Sequence, residues 1–209
     1  MKNKLSLILE MVLLFVVMPL VFCLNISIWI KVALGVLGFG FVLIFLKKKK
    51  YTYLKDEHTF LPSYLKKQIV LVLATLVPVT IYFVYNYNPD QLFYVLKNKP
   101  LVWIGIFFVY SFLSVLPQEI IYRSFFFKRY RPLFSNDTLL ILINALVFSL
   151  GHLFFQNTLV MIITFLGGLI FGYTYLKTKS LRLVFIEHTI YGYWLFTVGM
   201  GDMLGFPGG

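Results

Sequence analysis

A single cysteine, Cys23, leaves no internal disulfide to form and no multi-cysteine metal site to build. Charge is scarce as well: Asp, Glu, Lys and Arg make up 13% of the 209 residues, and 60% are hydrophobic, whereas a soluble domain is usually about a quarter charged. The chain shows no internal repeat, no low-complexity tract and no soluble domain. Function is therefore expected within apolar segments or on the short loops that join them.

What is present is a series of long apolar runs. Leu5–Cys23, Val32–Leu46 and Thr158–Phe171 contain almost no charge, and such runs are roughly long enough to cross a hydrocarbon core about 30 Å thick. Lipid forces every backbone polar group to be paired within the segment, so these runs are expected to be helices. The pattern predicts seven spans, at 5–23, 28–46, 68–86, 101–126, 139–155, 158–176 and 183–199. The fold class is thus all-α, a polytopic transmembrane helical bundle in three parts: N-terminal helices over 1–100, a core over 101–200 and a short tail at 201–209.

The net charge of +11 does not point to nucleic acid. The basic residues, such as Lys47–Lys50 and Lys128, Arg129 and Arg131, lie beside apolar runs rather than on one soluble face. That is the pattern of cytoplasmic loops, and it predicts an N-terminus inside and a C-terminus outside, with anionic lipid as the contact of the basic side chains. Lys2–Lys4 followed by Leu5–Cys23 resembles a signal peptide, but no small-x-small site follows, so a retained first helix is expected. Tyr51–Tyr64, with Asp56, Glu57, His58 and Pro62, reads as a cytoplasmic connector, and Asn86–Pro100 as an external one. Gly168 and Gly172 have the spacing that lets two helices approach closely, and Gly35, Gly38 and Gly40 are expected to do the same.

An ionisable group inside lipid costs about 2.5–3.5 kcal/mol on insertion scales, so each one needs a reason. The first three spans offer only Glu10, while the later ones carry Glu119, Arg123, His152, Glu187 and His188, with Gln118 and Asn144 beside them. Glu119 and Arg123 are four residues apart and can pair on one helix face, just after Pro117, which should kink the helix. A buried ion pair that merely holds the bundle together would give the same pattern. Asn144, Phe148 and His152 share a face, and Gly151 leaves room beside the histidine. A lone histidine of this kind is most often a bonded core residue. His188 opens the last span, and Glu187 is expected at the cytoplasmic interface.

Taken together, Glu119, His152 and His188 are a carboxylate and two histidines on three separate spans. Two His and one Glu form a catalytic zinc ligand set. A carboxylate can equally act as general base on water without metal, with histidines donating to the oxyanion. Both routes lead to hydrolysis of an amide or ester. Straight helices would spread the three groups over roughly 10–15 Å of depth at 1.5 Å per residue, so a common site requires a tilted or broken helix.

At these residues the sequence resembles the CAAX protease and bacteriocin-processing (CPBP, or Abi) family of intramembrane peptidases. Its pattern of Glu-Glu-x-x-x-Arg, Phe-x-x-x-His and His-x-x-x-Asn/Asp appears here as Gln118-Glu119-x-x-x-Arg123, Phe148-x-x-x-His152 and His188-x-x-x-Gly192. The resemblance implies an all-helical membrane peptidase acting on lipid-modified proteins or membrane-associated peptides, by a zinc or a metal-free glutamate mechanism, in the bacterial cytoplasmic membrane. It assigns catalysis to Glu119, Arg123, His152 and His188, with Gln118 beside them, and zinc binding to Glu119, His152 and His188. Two positions depart from the pattern. Gln118 stands where the first Glu is expected and has no basic site near neutral pH, and Gly192 lacks a polar side chain that would help hold the oxyanion. A catalytically degenerate relative serving as scaffold, regulator or immunity protein, and a small transporter using the buried Glu and His groups as a proton relay, are the other classes open to this sequence.

Overall fold

The computed structural model describes residues 4–49 and 61–204, and no strand occurs among them. Lys50, most of the predicted cytoplasmic connector (Asp56, Glu57 and His58 included) and the end of the tail lie outside the described residues. The helices are α1 (Lys4–Cys23), α2 (Ile28–Lys48), α3 (Ser63–Tyr87), the short α4 (Tyr94–Asn98), α5 (Pro100–Leu133), α6 (Asp137–Phe155), α7 (Thr158–Thr178) and α8 (Leu181–Val198).

Among the described residues seven long helices stand where seven spans were expected, but only six, α1–α3 and α5–α7, are long and apolar enough to cross a membrane. The exception is α8, which carries Arg182, Glu187, His188 and several hydroxyls. The reason is its position. Most of α8 is buried, from Leu181 to Val198, whereas α2 fully buries only Val42 and Leu46 and leaves residues such as Trp29, Val36, Leu37 and Ile44 exposed. A helix wrapped by other helices meets protein instead of lipid, so its polar groups can be paired where they stand. The molecule is an integral multi-pass membrane protein whose last long helix runs through the middle of the bundle.

Local sequence sets the starts of the three helices that follow α5. The side chain of Asn136 accepts from Leu139 N at 2.8 Å, Asn157 accepts from Leu159 N at 2.9 Å, and Ser180 accepts from Leu183 N at 3.1 Å. Each side chain satisfies an amide that the first helical turn leaves unpaired.

Helices α1 and α5 are irregular for a shared reason. Proline lacks an N–H, and its ring crowds the carbonyl four residues earlier. Just before Pro19 and Pro117 the chain widens into a π-turn, so that Met18 N–H reaches back to Leu13 O and Leu116 N–H to Ser111 O. A further π-turn spans Ile120–Phe125, directly after Glu119. Such bulges concentrate at functional sites. Here they break α5 on both sides of Glu119, which supplies the interruption that a common site requires.

The glycine expectations divide. A Cβ on Gly168 would lie 2.8 Å from Ala145 Cα, so α6 and α7 touch through backbone, and Gly172 sits against Ile141 and Asn144. Gly35 and Gly40, by contrast, have nothing within 4 Å, and Gly38 meets only the end of Met18 at 4.0 Å. The expected contact role of these three in α2 is therefore corrected: the helix is peripheral, and its glycines face outward or barely touch a neighbour.

Glu10, the one acid of the first three spans, ties α1 to the end of α5. Arg129 Nε donates to its Oε1 at 2.6 Å and Tyr130 hydroxyl at 3.1 Å. Phe15 packs between the same helices against Tyr122, Phe125, Phe126 and Tyr130.

Candidate active site

The break in α5 turns Glu119 toward α8, where His188 Nδ1 lies 2.7 Å from Glu119 Oε1. The other oxygen, Oε2, faces Arg123 Nε at 3.3 Å. Glu119 and Arg123 are completely buried. Arg123 continues the chain of contacts into α6, its Nη1 donating to Asn144 Oδ1 at 2.8 Å, while Asn144 Nδ2 donates to Tyr122 O at 2.8 Å. The guanidinium also lies over the faces of Phe148 and Phe171, 4.8 and 5.7 Å from the ring centroids. Stacking on aromatic faces favours a cation that water cannot reach.

Phe148 joins the two histidines. Its ring lies 4.8 Å from that of His152 and 5.7 Å from that of His188, and Tyr122 meets it edge-on at 5.1 Å. His188 is further clamped by Phe171, stacked on it at 4.4 Å. The depth spread expected of straight helices is thus corrected for Glu119 and His188, which touch, and His152 reaches them through one intervening ring.

The ring nitrogens can be assigned from their partners. His152 Nδ1 lies 2.8 Å from Phe148 O, and a carbonyl can only accept, so Nδ1 carries the proton and Nε2 the lone pair. His188 Nδ1 likewise donates to the Glu119 carboxylate, and Nε2 is the nitrogen left free of it. In its neutral form each ring presents Nε2 as an acceptor. The oxyanion-donor role expected of the histidines uses the protonated ring, in which Nε2 carries a hydrogen.

Zinc was the other expected role. Among the described residues no three His, Cys, Asp or Glu side chains are grouped as a metal ion would need them. Glu119 already holds His188 with one oxygen and faces Arg123 with the other. The donor set in this arrangement does not fit the Glu119, His152 and His188 ligand triad.

Gln118 turns aside from Glu119. Its Nε2 donates to Ser114 Oγ at 2.9 Å on the same helix, and its buried Oε1 has no partner. Gly151 makes room for a tyrosine, since a Cβ there would lie 2.1 Å from the Tyr122 hydroxyl. Gly192 does the same for Tyr110, whose hydroxyl would be 1.7 Å from such a Cβ.

Glu187 is not at the interface. It is completely buried, and its Oε1 accepts from Gln68 Nε2 at 2.7 Å and Tyr191 hydroxyl at 3.1 Å. The first turns of α3 and the end of α7 roof this part of α8, with Gln68 Nε2 also donating to Thr174 Oγ1 at 2.9 Å. Gln68, Thr174 and Tyr110 are neighbours that periodicity could not single out. The available signal was only a polar or aromatic side chain in an apolar run. Gln68→Leu is expected to lower stability by about 1–3 kcal/mol, because it strips a buried carboxylate of one donor. A thermal denaturation series in detergent checks this.

Residues 100–194, from the start of α5 to the second half of α8, match the family model described as type II CAAX prenyl endopeptidase Rce1-like. Over that stretch the chain is similar to this family, in agreement with its resemblance to CPBP peptidases. No curated protein and no solved structure matches the chain significantly.

Proposed function

We propose that this chain, similar to the CAAX endopeptidase family over residues 100–194, hydrolyses a peptide bond in a lipid-modified or membrane-associated protein or peptide. The observation that carries the reading is the 2.7 Å contact between His188 Nδ1 and Glu119 Oε1, backed by Arg123. A carboxylate that holds one ring nitrogen protonated leaves the other free to take a proton. The proposed reaction uses water and side chains alone. His188 Nε2 accepts a proton from water as the water oxygen adds to the scissile carbonyl carbon. It then returns that proton to the leaving nitrogen as the C–N bond breaks. Arg123 orients Glu119, Glu119 orients His188, and His152 Nε2 provides a second acceptor for the water. Tyr122 and Phe148 shape the pocket. Glu119 in this scheme acts through His188 instead of attacking the water proton itself. The bilayer delivers the lipid-bearing substrate, and a bacterial cytoplasmic membrane is the location that the family resemblance favours.

The test is cleavage of a farnesylated peptide ending in a CAAX sequence by detergent-purified protein, with metal content measured on the same sample. His188→Ala and His152→Ala are each expected to lower kcat by about 10²–10⁴-fold, the usual contribution of a positioned acid–base group. Full activity in either variant removes that residue from the mechanism. Zinc at one per chain, lost together with cleavage in the double variant, replaces the scheme with a metal-assisted one.

One observation favours a second reading, a degenerate member serving as scaffold or regulator: Gln118 has no basic site and is bonded to Ser114 on its own helix. Inert wild type together with an active Gln118→Glu variant would establish that reading.

A further inference from the structure

Water addition to a carbonyl creates an oxyanion, and donors aimed at it supply a large share of the rate. Most donors near His188 are already engaged. Both histidine Nδ1–H groups are taken by Glu119 and Phe148 O, Gln118 Nε2 by Ser114, Arg123 Nη1 by Asn144, and Asn144 Nδ2 by Tyr122 O. Arg123 Nη2 and Thr189 Oγ1 lack partners but are sealed within the bundle. The Tyr110 and Tyr122 hydroxyls have no hydrogen-bond partner among the described residues and are not sealed in this way, but Tyr122 packs on Phe148 whereas Tyr110 meets His188 itself.

Its placement follows from two features of the chain. Tyr110 opens the π-turn Tyr110–Val115, and its ring meets His188 edge-on with centroids 6.2 Å apart. Its hydroxyl reaches past His188 to Gly192, one turn further along the same face of α8. Any side chain at 192 would collide with it, since a Cβ would lie 1.7 Å from the hydroxyl oxygen and 2.4 Å from Cζ. The space beside the base that Gly192 leaves empty is filled by an unengaged O–H.

We propose that the Tyr110 hydroxyl is a catalytic residue, donating a hydrogen bond to the oxyanion formed when water adds to the scissile carbonyl. The carbonyl π electrons move onto oxygen as the O–C bond forms and return when the C–N bond breaks. The tyrosine keeps its proton throughout. The inference rests on the hydrolytic reading of the site.

Tyr110→Phe tests it, because the ring over Gly192 is kept and only the donor is lost. With the farnesylated peptide as probe, kcat is expected to fall about 10²–10³-fold, as on removal of one oxyanion donor, with KM and melting temperature unchanged. A donor built from the other side gives the complementary arm: Tyr110→Ala/Gly192→Asn is expected to recover at least about tenfold over Tyr110→Ala alone, part of what one donor is worth. Wild-type kcat in Y110F overturns the inference while leaving the hydrolytic reading in place. A lowered melting temperature with unchanged kcat per folded enzyme assigns Tyr110 to packing and overturns it equally. Wild type that does not cleave, or His188→Ala that cleaves at the wild-type rate, overturns the hydrolytic reading and the role of Tyr110 with it.

Discussion

Glu119→Gln is expected to abolish hydrolysis, by on the order of 10⁴-fold in kcat, the scale of loss when an orienting carboxylate becomes an amide. The cause is the two neighbours of the carboxylate. The oxygen at His188 accepts a proton from Nδ1, and the oxygen at Arg123 faces a cation. An amide can satisfy only one of them with its oxygen. Turned toward Arg123, it presents NH₂ to His188 and forces the proton onto Nε2, which removes the base. Turned the other way, it sets NH₂ against the guanidinium. Either way Arg123, completely buried, loses its counter-charge, and breaking such a pair costs about 3–5 kcal/mol. Glu119→Leu/Arg123→Met is expected to recover part of that stability and none of the activity, because two apolar side chains avoid the stranded charge without restoring the orientation of His188. Melting temperature and kcat measured on both variants check the prediction. A fully active Glu119→Gln would show the ion pair to be structural only.

Gly168→Ala is the second large effect. The added Cβ meets the Ala145 backbone at 2.8 Å, and backbone cannot swing aside as a side-chain end can, so α6 and α7 must part. Overpacking of this kind costs about 1–3 kcal/mol. Because Asn144 adjoins Ala145 and holds Arg123, activity is expected to fall with stability. Gly40→Ala is the control. Nothing lies within 4 Å of it, and relief of glycine's excess freedom in a helix is worth about 0.5–1 kcal/mol, so this variant is expected to be neutral or slightly more stable. Equal losses from both substitutions, followed by thermal denaturation in detergent, would contradict the assignment of the α6–α7 contact.

The spans and the shared face of Asn144, Phe148 and His152 were legible because helical periodicity and lipid thickness constrain them directly. Gly168 and Gly35 look alike in sequence, yet one touches a backbone and the other touches nothing, because spacing says that an approach is possible but not which helix arrives. Pro117 announced a break in α5, but not the π-turns on either side that swing Glu119 onto His188. Glu187 was misplaced for a related reason. Five residues from Arg182 suggests an interface, and only the roof formed by Gln68 and Thr174 makes the position interior. The donor role proposed for Tyr110 was hidden most deeply, since it depends on what Gly192 lacks.

The polarity of α8 also bears on how the protein is made. A charged residue at the centre of a helix entering lipid alone costs about 2.5–3.5 kcal/mol, and α8 brings Arg182, Glu187 and His188 with it. Its partners Gln68, Thr80, Trp103 and Glu119 all lie earlier in the chain. During synthesis they are therefore already in the bilayer when α8 emerges. The helix that carries His188 therefore enters after its partners, into a polar slot already prepared, and the proposed hydrolytic site is assembled only at that step.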